Sequence, residues 1–199
     1  MDHLQSSTPG FVAQMKGRLT TSRYTGAVIF VDHHSSLPFG HLCKELSVEA
    51  TIEALEGYKR YAESFGRSLG HLHGDNGRFA DNAFTAHINS QGITISFCGV
   101  GSHHQNGRAE KMIRDISGIA NTAMIHAQGK WPNAHHPSLW PYALLYAIHI
   151  KANTPRAKDG LIPSMIFRGS NSPPSMKKAR SSPFSRRRRS TPCCRTASN

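Results

Sequence analysis

Apolar positions along the chain follow two periods, one typical of strands and one of helices. Residues 27–31 (AVIFV) form a continuous β-branched and aromatic run, which predicts a strand buried on both faces. Residues 42–46 predict its hairpin partner across the turn SSLPFG. Shorter strands are predicted at residues 67–73 and 93–98. By contrast, residues 1–24 are polar and turn-rich, and their pattern predicts no regular element.

Helices are predicted where apolar residues recur at steps of three and four. The first follows Ser47, which can cap it, and ends at Gly66; its stripe is Val48, Ile52, Leu55, Ala62 and Phe65. A second long helix runs from residue 107 to about residue 128, with the stripe Ala109, Met112, Ile113, Ile116, Ala120, Ala123 and Met124. Further helices are predicted at residues 81–90 and 138–152, and a last apolar segment at residues 161–168. Strands and helices in this mixed order predict an α/β layer architecture.

Charge divides the chain into two parts. The 24 basic residues outnumber the 12 acidic ones, and eight of the basic residues but no acid lie in residues 171–199. The Ser, Pro and Arg composition of residues 170–199 predicts a disordered tail, whose RRRR run suits nucleic-acid binding or nuclear import. We therefore expect one folded domain at residues 1–169, mildly basic and compatible with a nucleic-acid partner.

Cysteine use and hydropathy narrow the expected location. The four cysteines form no CxxC pattern or disulfide framework, which is typical of reduced thiols inside a cell. No apolar run approaches the roughly 20 residues of a membrane span. The expectation is an intracellular protein, nuclear or cytoplasmic, that does not bind a membrane.

Acidic residues suggest where chemistry takes place. Asp75 follows a predicted strand, and Glu110 lies at the start of the second long helix. Carboxylates from separate elements are the ligands that Mg²⁺ needs, because this hard cation takes oxygen ligands and is usually held by one or two carboxylates plus substrate phosphates. For a third acid, the sequence pattern favours Asp32, at the mouth of the buried strand 27–31.

Three segments carry a resemblance to a known family. They are MDHLQSSTPGFVAQ at residues 1–14, HGDNG at residues 73–77 and HHQNGRAE at residues 103–110. Together they resemble the catalytic core of a copia-type LTR-retrotransposon integrase, a DDE polynucleotidyl transferase, over residues 1–169. The resemblance implies an RNase H-like fold, in which a mixed central β-sheet is flanked by helices.

The resemblance also implies a set of functional residues. Asp2, Asp75 and Glu110 would be catalytic and hold two Mg²⁺ or Mn²⁺ ions, with Asp32 as the alternative to Asp2. Asn76 and Gly77 would turn the chain tightly behind Asp75. The implied DNA-binding residues are His103, His104, Gln105, Asn106, Arg108, Lys111 and Arg114. The implied activity is 3′-end processing and strand transfer between retroelement ends and target DNA, by a protein that forms homo-oligomers when complete.

Departures from the family pattern leave a second function open. We expect the His/Cys zinc-binding domain that precedes the core in complete integrases to be absent, and the first strand to be almost wholly missing, because only Met1 precedes Asp2. Arg108 stands where the family usually has Ile or Val. These features suit a truncated or degenerate copy, so the alternative is a catalytically inactive, DNA-binding remnant.

Overall fold

A computed structural model describes residues 1–13, 20–99 and 106–169 of the chain. The predicted disordered tail therefore lies outside the described residues. The strands are β1 (Asp2–Phe11), β2 (Arg23–Val31), β3 (Pro38–Cys43), β4 (His71–Gly74) and β5 (Thr94–Phe97). The helices are α1 (Val48–Glu63), α2 (Asn82–Ser90), α3 (Gly107–Lys130), α4 (Trp140–Asn153) and α5 (Pro163–Phe167), with single 3₁₀ turns at Arg78–Ala80 and Pro137–Leu139.

Strand β1 is the largest difference from the sequence-based expectation. The segment predicted to be turn-rich forms a strand of 10 residues, paired antiparallel with β2 from Asp2↔Ile29 to Gln5↔Gly26 and again at Gly10↔Tyr24. Its polar side chains weaken the pattern, but the partner strand β2 supplies the hydrogen bonds and the apolar surface. The expectation that the strand carrying Asp2 is missing was therefore wrong, because Asp2 opens a strand that continues after it.

Strands β2 and β3 form the predicted antiparallel hairpin, with slightly different bounds. The ladder runs from Val31↔Pro38 to Gly26↔Cys43, so β3 begins four residues before the predicted segment. The intervening turn contains Ser36 at φ 61°. Strands β4 and β5 pair in parallel from His71↔Thr94 to Gly74↔Phe97, and β1, β2 and β3 form a separate sheet in that order.

Local signals mark the helix ends, and those at Ser47 and Gly66 act as predicted. The Ser47 hydroxyl accepts a hydrogen bond from the Ala50 amide at 3.2 Å and so caps α1. Gly66, just beyond α1, adopts φ +67°, a conformation that glycine enters without steric cost. Asp81 caps α2 in the same way as Ser47 caps α1, with its carboxylate 2.8 Å from the Ala83 amide. Helix α3 begins at the predicted residue and ends two residues later than predicted.

The three-stranded sheet lies between two helical layers. On one face, Val28 and Phe30 pack with buried residues of α1, α2 and β4. On the other face, Ala27 and Ile29 pack against α3 and α4. This alternation confirms that β2 is buried on both faces. Within the described ranges, no helix is both long enough and apolar enough to cross a bilayer.

Candidate active site

Contacts made by Met1 bring together three parts of the chain that carry acidic residues. Its α-ammonium group donates a hydrogen bond to the His73 carbonyl at 2.7 Å, which places the start of β1 beside the end of β4. Its carbonyl accepts a hydrogen bond from the Asn106 side-chain amide at 3.3 Å, which ties in the start of α3. Asp2 follows Met1, Asp75 follows β4, and Glu110 lies in the first turn of α3.

The charges of Asp75 and Glu110 act on the carboxyl group of Asp2. Burial is the main reason that the pKa of Asp2 is raised above its usual value, and the charges of Asp75 and Glu110 raise this pKa further. A hydrogen bond from the His3 amide to the Asp2 carboxylate, 2.7 Å long, and the nearby α-ammonium act in the opposite direction. Asp2, Asp75 and Glu110 therefore form a single electrostatic cluster.

Two groups of the cluster were missed by the sequence analysis. The α-ammonium of Met1 is buried, and this burial lowers its pKa despite the neighbouring charges of Asp2 and Asp75. The Cys98 thiol, after β5, lies 3.5 Å from His73 Nε2, and desolvation together with the charges of Asp75 and Glu110 raises its pKa. No sequence motif marks either group, because their proximity depends on the β4–β5 pairing and on the β1 end.

Asp75 has a buried side-chain oxygen atom that is not satisfied by a hydrogen bond within the described part of the chain. Its Oδ1 atom is buried and has no hydrogen-bond partner among the described residues. A buried carboxylate oxygen without a partner costs free energy, which a bound cation would offset. Gly77 leaves room for this carboxylate, because a Cβ atom at that position would lie 3.1 Å from Asp75 Oδ2. Carboxylate oxygens suit a hard divalent cation, although among the described residues no three His, Cys, Asp or Glu side chains are grouped closely enough to hold one as they stand.

Asp32 has a different role in the structure. Its Oδ2 accepts hydrogen bonds from both the amide and the hydroxyl of Ser35, each 2.6 Å long, and its backbone carbonyl accepts one from the Ser36 amide. These bonds hold the turn between β2 and β3. The charge of Asp32 contributes to raising the pKa of Tyr58, after the larger effect of burial. Of the two candidates for the third acid, the structure brings Asp2 to Asp75 and Glu110.

The predicted DNA-binding residues are found in three different situations. His103, His104 and Gln105 lie outside the described residues. Asn106 is only 5% exposed and bonds to Met1, so the structure gives it an internal role that differs from the predicted DNA contact. Arg108 is exposed, and its guanidinium donates a hydrogen bond to the His33 carbonyl. Lys111 and Arg114 are exposed on α3, close in sequence to Glu110.

Comparisons with known proteins concern the fold. No family model and no curated protein matches the chain. Among solved structures, the chain is similar to the HTLV-2 integrase catalytic core domain in complex with magnesium, with a TM-score of 0.53 and 18% identity over 83% of this chain and 95% of that one. The chain is also similar to the BIV integrase catalytic core domain, with a TM-score of 0.53 and 20% identity over 73% of this chain and 86% of that one.

A larger assembly also contains a similar chain. It is the simian T-cell lymphotropic virus intasome in complex with the PP2A regulatory subunit B56γ, with a TM-score of 0.57 and 18% identity over 87% of this chain. The present chain spans 55% of the length of that protein. These similarities show that the chain has the mixed α/β fold of integrase catalytic cores, as the sequence predicted.

The raised pKa of Asp2 predicts how the metal-free protein responds to pH. The folded state holds this proton more tightly than the unfolded chain, whose pKa is near 3.8. Protonation of Asp2 therefore contributes fully to stability below that value, and this contribution is lost as pH rises through the folded-state pKa. We expect Asp2→Asn to raise the thermal unfolding midpoint at pH 7 in EDTA. Above pH 4, the midpoint of this variant should also vary less with pH than that of the parent.

Asp159 is a control residue because its pKa is shifted in the opposite direction to that of Asp2. The hydrogen bond from Arg156 lowers the pKa of Asp159, so Asp159→Asn should not raise the midpoint at pH 7. Differential scanning fluorimetry between pH 4 and pH 8 measures both variants. Equal responses of the two variants would contradict the electrostatic cluster around Asp2.

Proposed function

We propose that the chain is the catalytic core of a DNA integrase that carries out metal-dependent phosphoryl transfer on DNA. The observation that carries the proposal is the buried Asp75 oxygen that lacks a partner in the described part of the chain, close enough to Asp2 for the charges of Asp75 and Glu110 to raise the Asp2 pKa. The fold shared with integrase catalytic cores supports it. The segments at residues 1–14, 73–77 and 103–110 support a copia-type retrotransposon origin.

Mg²⁺ or Mn²⁺, bound by Asp2, Asp75 and Glu110, would supply Lewis-acid stabilisation of charge on the reacting phosphate and lower the pKa of a coordinated hydroxyl. Among the described residues, no three His, Cys, Asp or Glu side chains are grouped closely enough to hold an ion as they stand. The proposed site therefore needs water and phosphate oxygens of the DNA as further ligands, as is usual for Mg²⁺. We propose two ions, by analogy with enzymes that use paired metals for in-line displacement at phosphate.

Other residues of the chain position the acidic side chains and supply positive charge for the DNA phosphates. The two peptide contacts of Met1 hold the acidic residues of β1, β4 and α3 at one place. The exposed side chains of Lys111 and Arg114 suit contacts with DNA phosphates, which fix the register of a duplex without reading its sequence. The guanidinium of Arg108 is bonded to the β2–β3 turn, so we assign it first to orienting that turn beside the site.

A strand-transfer assay with pre-processed DNA ends tests the proposal. Joining of these ends to a target plasmid in Mg²⁺ or Mn²⁺, and none in EDTA, is the expected result. DNA binding that weakens steeply with salt but gives no joined product would identify a catalytically inactive DNA-binding protein instead. Cutting without joining would indicate a nuclease. The same preparation, analysed by light scattering with and without DNA ends, tests the proposed homo-oligomer.

Gly77 provides a more local prediction. In Gly77→Ala, the added methyl group would lie 3.1 Å from the Asp75 carboxylate, tighter than an ordinary contact, so the carboxylate must shift. We expect divalent-ion binding, followed by Mn²⁺ titration, to weaken by up to about 10-fold, because holding the carboxylate off its preferred rotamer costs about 0.5–1.5 kcal/mol and 1.4 kcal/mol is tenfold in affinity. Gly70→Ala is the matched control, because its Cβ would meet no atom within 4 Å. Unchanged Mn²⁺ affinity in Gly77→Ala would show that Asp75 is not a ligand.

A further inference from the structure

A groove runs between the C-terminal half of helix α3 and helix α4. It is a cavity of about 750 Å³, with side chains from successive turns of α3 along one wall and side chains of α4 along the other. Because much of this lining is apolar, contact with an apolar partner would remove it from water at a gain in free energy. The apolar lining of this α3–α4 groove includes Ile119, Ala123, Ala127, Trp131, Tyr146 and Ile150.

The part of α3 that forms this wall extends beyond the hydrophobic core. The buried residues of α3 all lie at or before Ala120, and none lies in residues 121–130. The aromatic side chains of Trp131 and Tyr146, which line the groove, are 66% and 55% exposed. The wall is therefore helix surface that the described core leaves open to solvent, and a contiguous apolar surface of this kind marks an interaction site.

The charge around the groove has one sign. Residues 116–158, which include every lining residue except Asp115, hold no Asp or Glu but four Lys or Arg and four His residues. The Asp115 carboxylate accepts a hydrogen bond from Lys151 Nζ at 2.6 Å, so its charge is compensated within the chain. Lys130 lines the groove and is exposed. A partner that fits this apolar groove should therefore carry acidic side chains along its edges.

We propose that the α3–α4 groove binds one amphipathic helix of a partner protein, with apolar side chains against the groove and acidic side chains on both flanks. Helices bind in apolar grooves through side chains spaced three and four residues apart. Along α3 the groove extends from Asp115 to Lys130, roughly 22 Å at 1.5 Å per residue, so a helix of about 15 residues matches its length. Trp131 is the expected anchor, because tryptophan often dominates the binding energy of an interface.

Three other occupants match these observations less well. A second copy of the chain could cover the groove only with its own α3–α4 region, because the large exposed apolar side chains of the described residues all lie between Ile125 and Tyr146. Such a contact would place like charges opposite each other. Residues 171–199 carry eight basic residues and no acid, so they would be repelled as well. Single-stranded nucleic acid stacks its bases on successive aromatic planes, whereas Ile119 and Ile150 are aliphatic.

Fluorescence anisotropy with a labelled peptide, ELAELLEELAELLEE with both ends blocked, tests the proposal. The Leu residues of this peptide recur at steps of three and four, and its Glu residues occupy the flanks and the opposite face. The protein is the full chain, in EDTA and without DNA, so binding is measured apart from catalysis. We expect saturable binding. With unlabelled peptide, the fluorescence emission of Trp131 should shift to shorter wavelength as the peptide covers this side chain.

Two pairs of variants test whether the peptide binds in the groove. Ala127→Glu places a negative charge in the lining and should weaken binding at least about 10-fold, whereas Gln128→Glu adds the same charge at an exposed residue outside the lining and should weaken it less than about 3-fold. Trp131→Ala should weaken binding about 10-fold, and Tyr142→Ala, at an exposed aromatic residue outside the lining, less than about 3-fold. Thermal unfolding checks that each variant is folded.

Five results would each overturn the proposal. They are no saturable binding of the peptide, equal effects of Ala127→Glu and Gln128→Glu, and equal binding of a peptide in which Lys replaces every Glu. The fourth is binding of a labelled oligothymidine, but not of the peptide, that Ala127→Glu weakens, because it would identify nucleic acid as the occupant. The fifth is self-association, without peptide binding, that Trp131→Ala removes, because it would identify a second copy. Joining of DNA ends is scored separately, so this proposal and the proposed integrase function can fail independently.

Discussion

Asp75→Asn and Glu110→Gln are each expected to abolish metal-dependent joining of DNA ends, with rates lower by roughly 10³-fold or more. Metal ions contribute several kcal/mol of charge stabilisation to reactions at phosphate, and each loss of about 1.4 kcal/mol lowers a rate tenfold. Both substitutions preserve side-chain size and remove one negative charge from the cluster that also contains Asp2. Gel analysis of joined products over a time course measures the rates.

Asp32→Asn is the matched control for these two variants. An asparagine at this position keeps an oxygen that can accept from Ser35, so the β2–β3 turn should survive and joining should fall less than about 3-fold. A large loss in Asp32→Asn with full activity in a variant lacking the Asp2 carboxylate would reassign the third acid to Asp32. Full activity in either Asp75→Asn or Glu110→Gln would refute the proposed chemistry.

Loss of activity must also be separated from loss of folding. Replacing Asp75 or Glu110 by its neutral counterpart removes repulsion at Asp2, so the metal-free variants should be at least as stable as the parent. Thermal unfolding in EDTA, followed by the same scan in Mn²⁺, provides this readout. The parent should gain stability from the ion by mass action, and the variants should gain much less.

Elements with a strong local signal were predictable from the sequence. The hydrophobic run of β2, the Ser47 cap and the apolar stripe of α3 each depend on neighbouring residues, and the structure confirms them. Strand β1 was not predictable in this way, because its residues alternate between exposed and partly buried positions with polar side chains on both faces. Its conformation comes from pairing with β2, a partner that begins at Arg23.

In the candidate site, too, local motifs were predictable from the sequence, whereas long-range contacts were not. Asp75 and Glu110 were located by motif, but motif and strand pattern gave different answers for the third acid. The choice between Asp2 and Asp32 depends on long-range proximity: the charges of Asp75 and Glu110 act on Asp2, whereas the Asp32 carboxylate accepts two hydrogen bonds from Ser35. The internal role of Asn106 was also invisible, because its partner Met1 is 105 positions away in the sequence. Long-range contacts of this kind carry no local periodicity.

Gly26→Ala is expected to produce the largest loss of stability of any single methyl addition considered for this chain. A Cβ at residue 26 would lie 2.4 Å from the Leu4 carbonyl oxygen, a backbone atom of the paired strand β1. A flexible side chain could rotate away, but this oxygen can move only if the β1–β2 ladder opens next to the break in register after Gln5. Overpacking in a buried position costs about 1–3 kcal/mol, and we expect the upper end here.

Gly118→Ala is the matched control because it adds the same methyl group where a Cβ would meet no atom within 4 Å, within helix α3. Alanine is a better helix former than glycine by about 1 kcal/mol, so this variant should be more stable than the parent. At roughly 2–4 °C per kcal/mol for a chain of this size, the melting temperature should fall by roughly 6–12 °C in Gly26→Ala and rise by a few degrees in Gly118→Ala. Because β1 also carries Asp2, Gly26→Ala should lose divalent-ion binding before it unfolds, whereas Gly118→Ala should keep it. A stable Gly26→Ala variant with intact ion binding would show that β1 does not pair with β2 in this register.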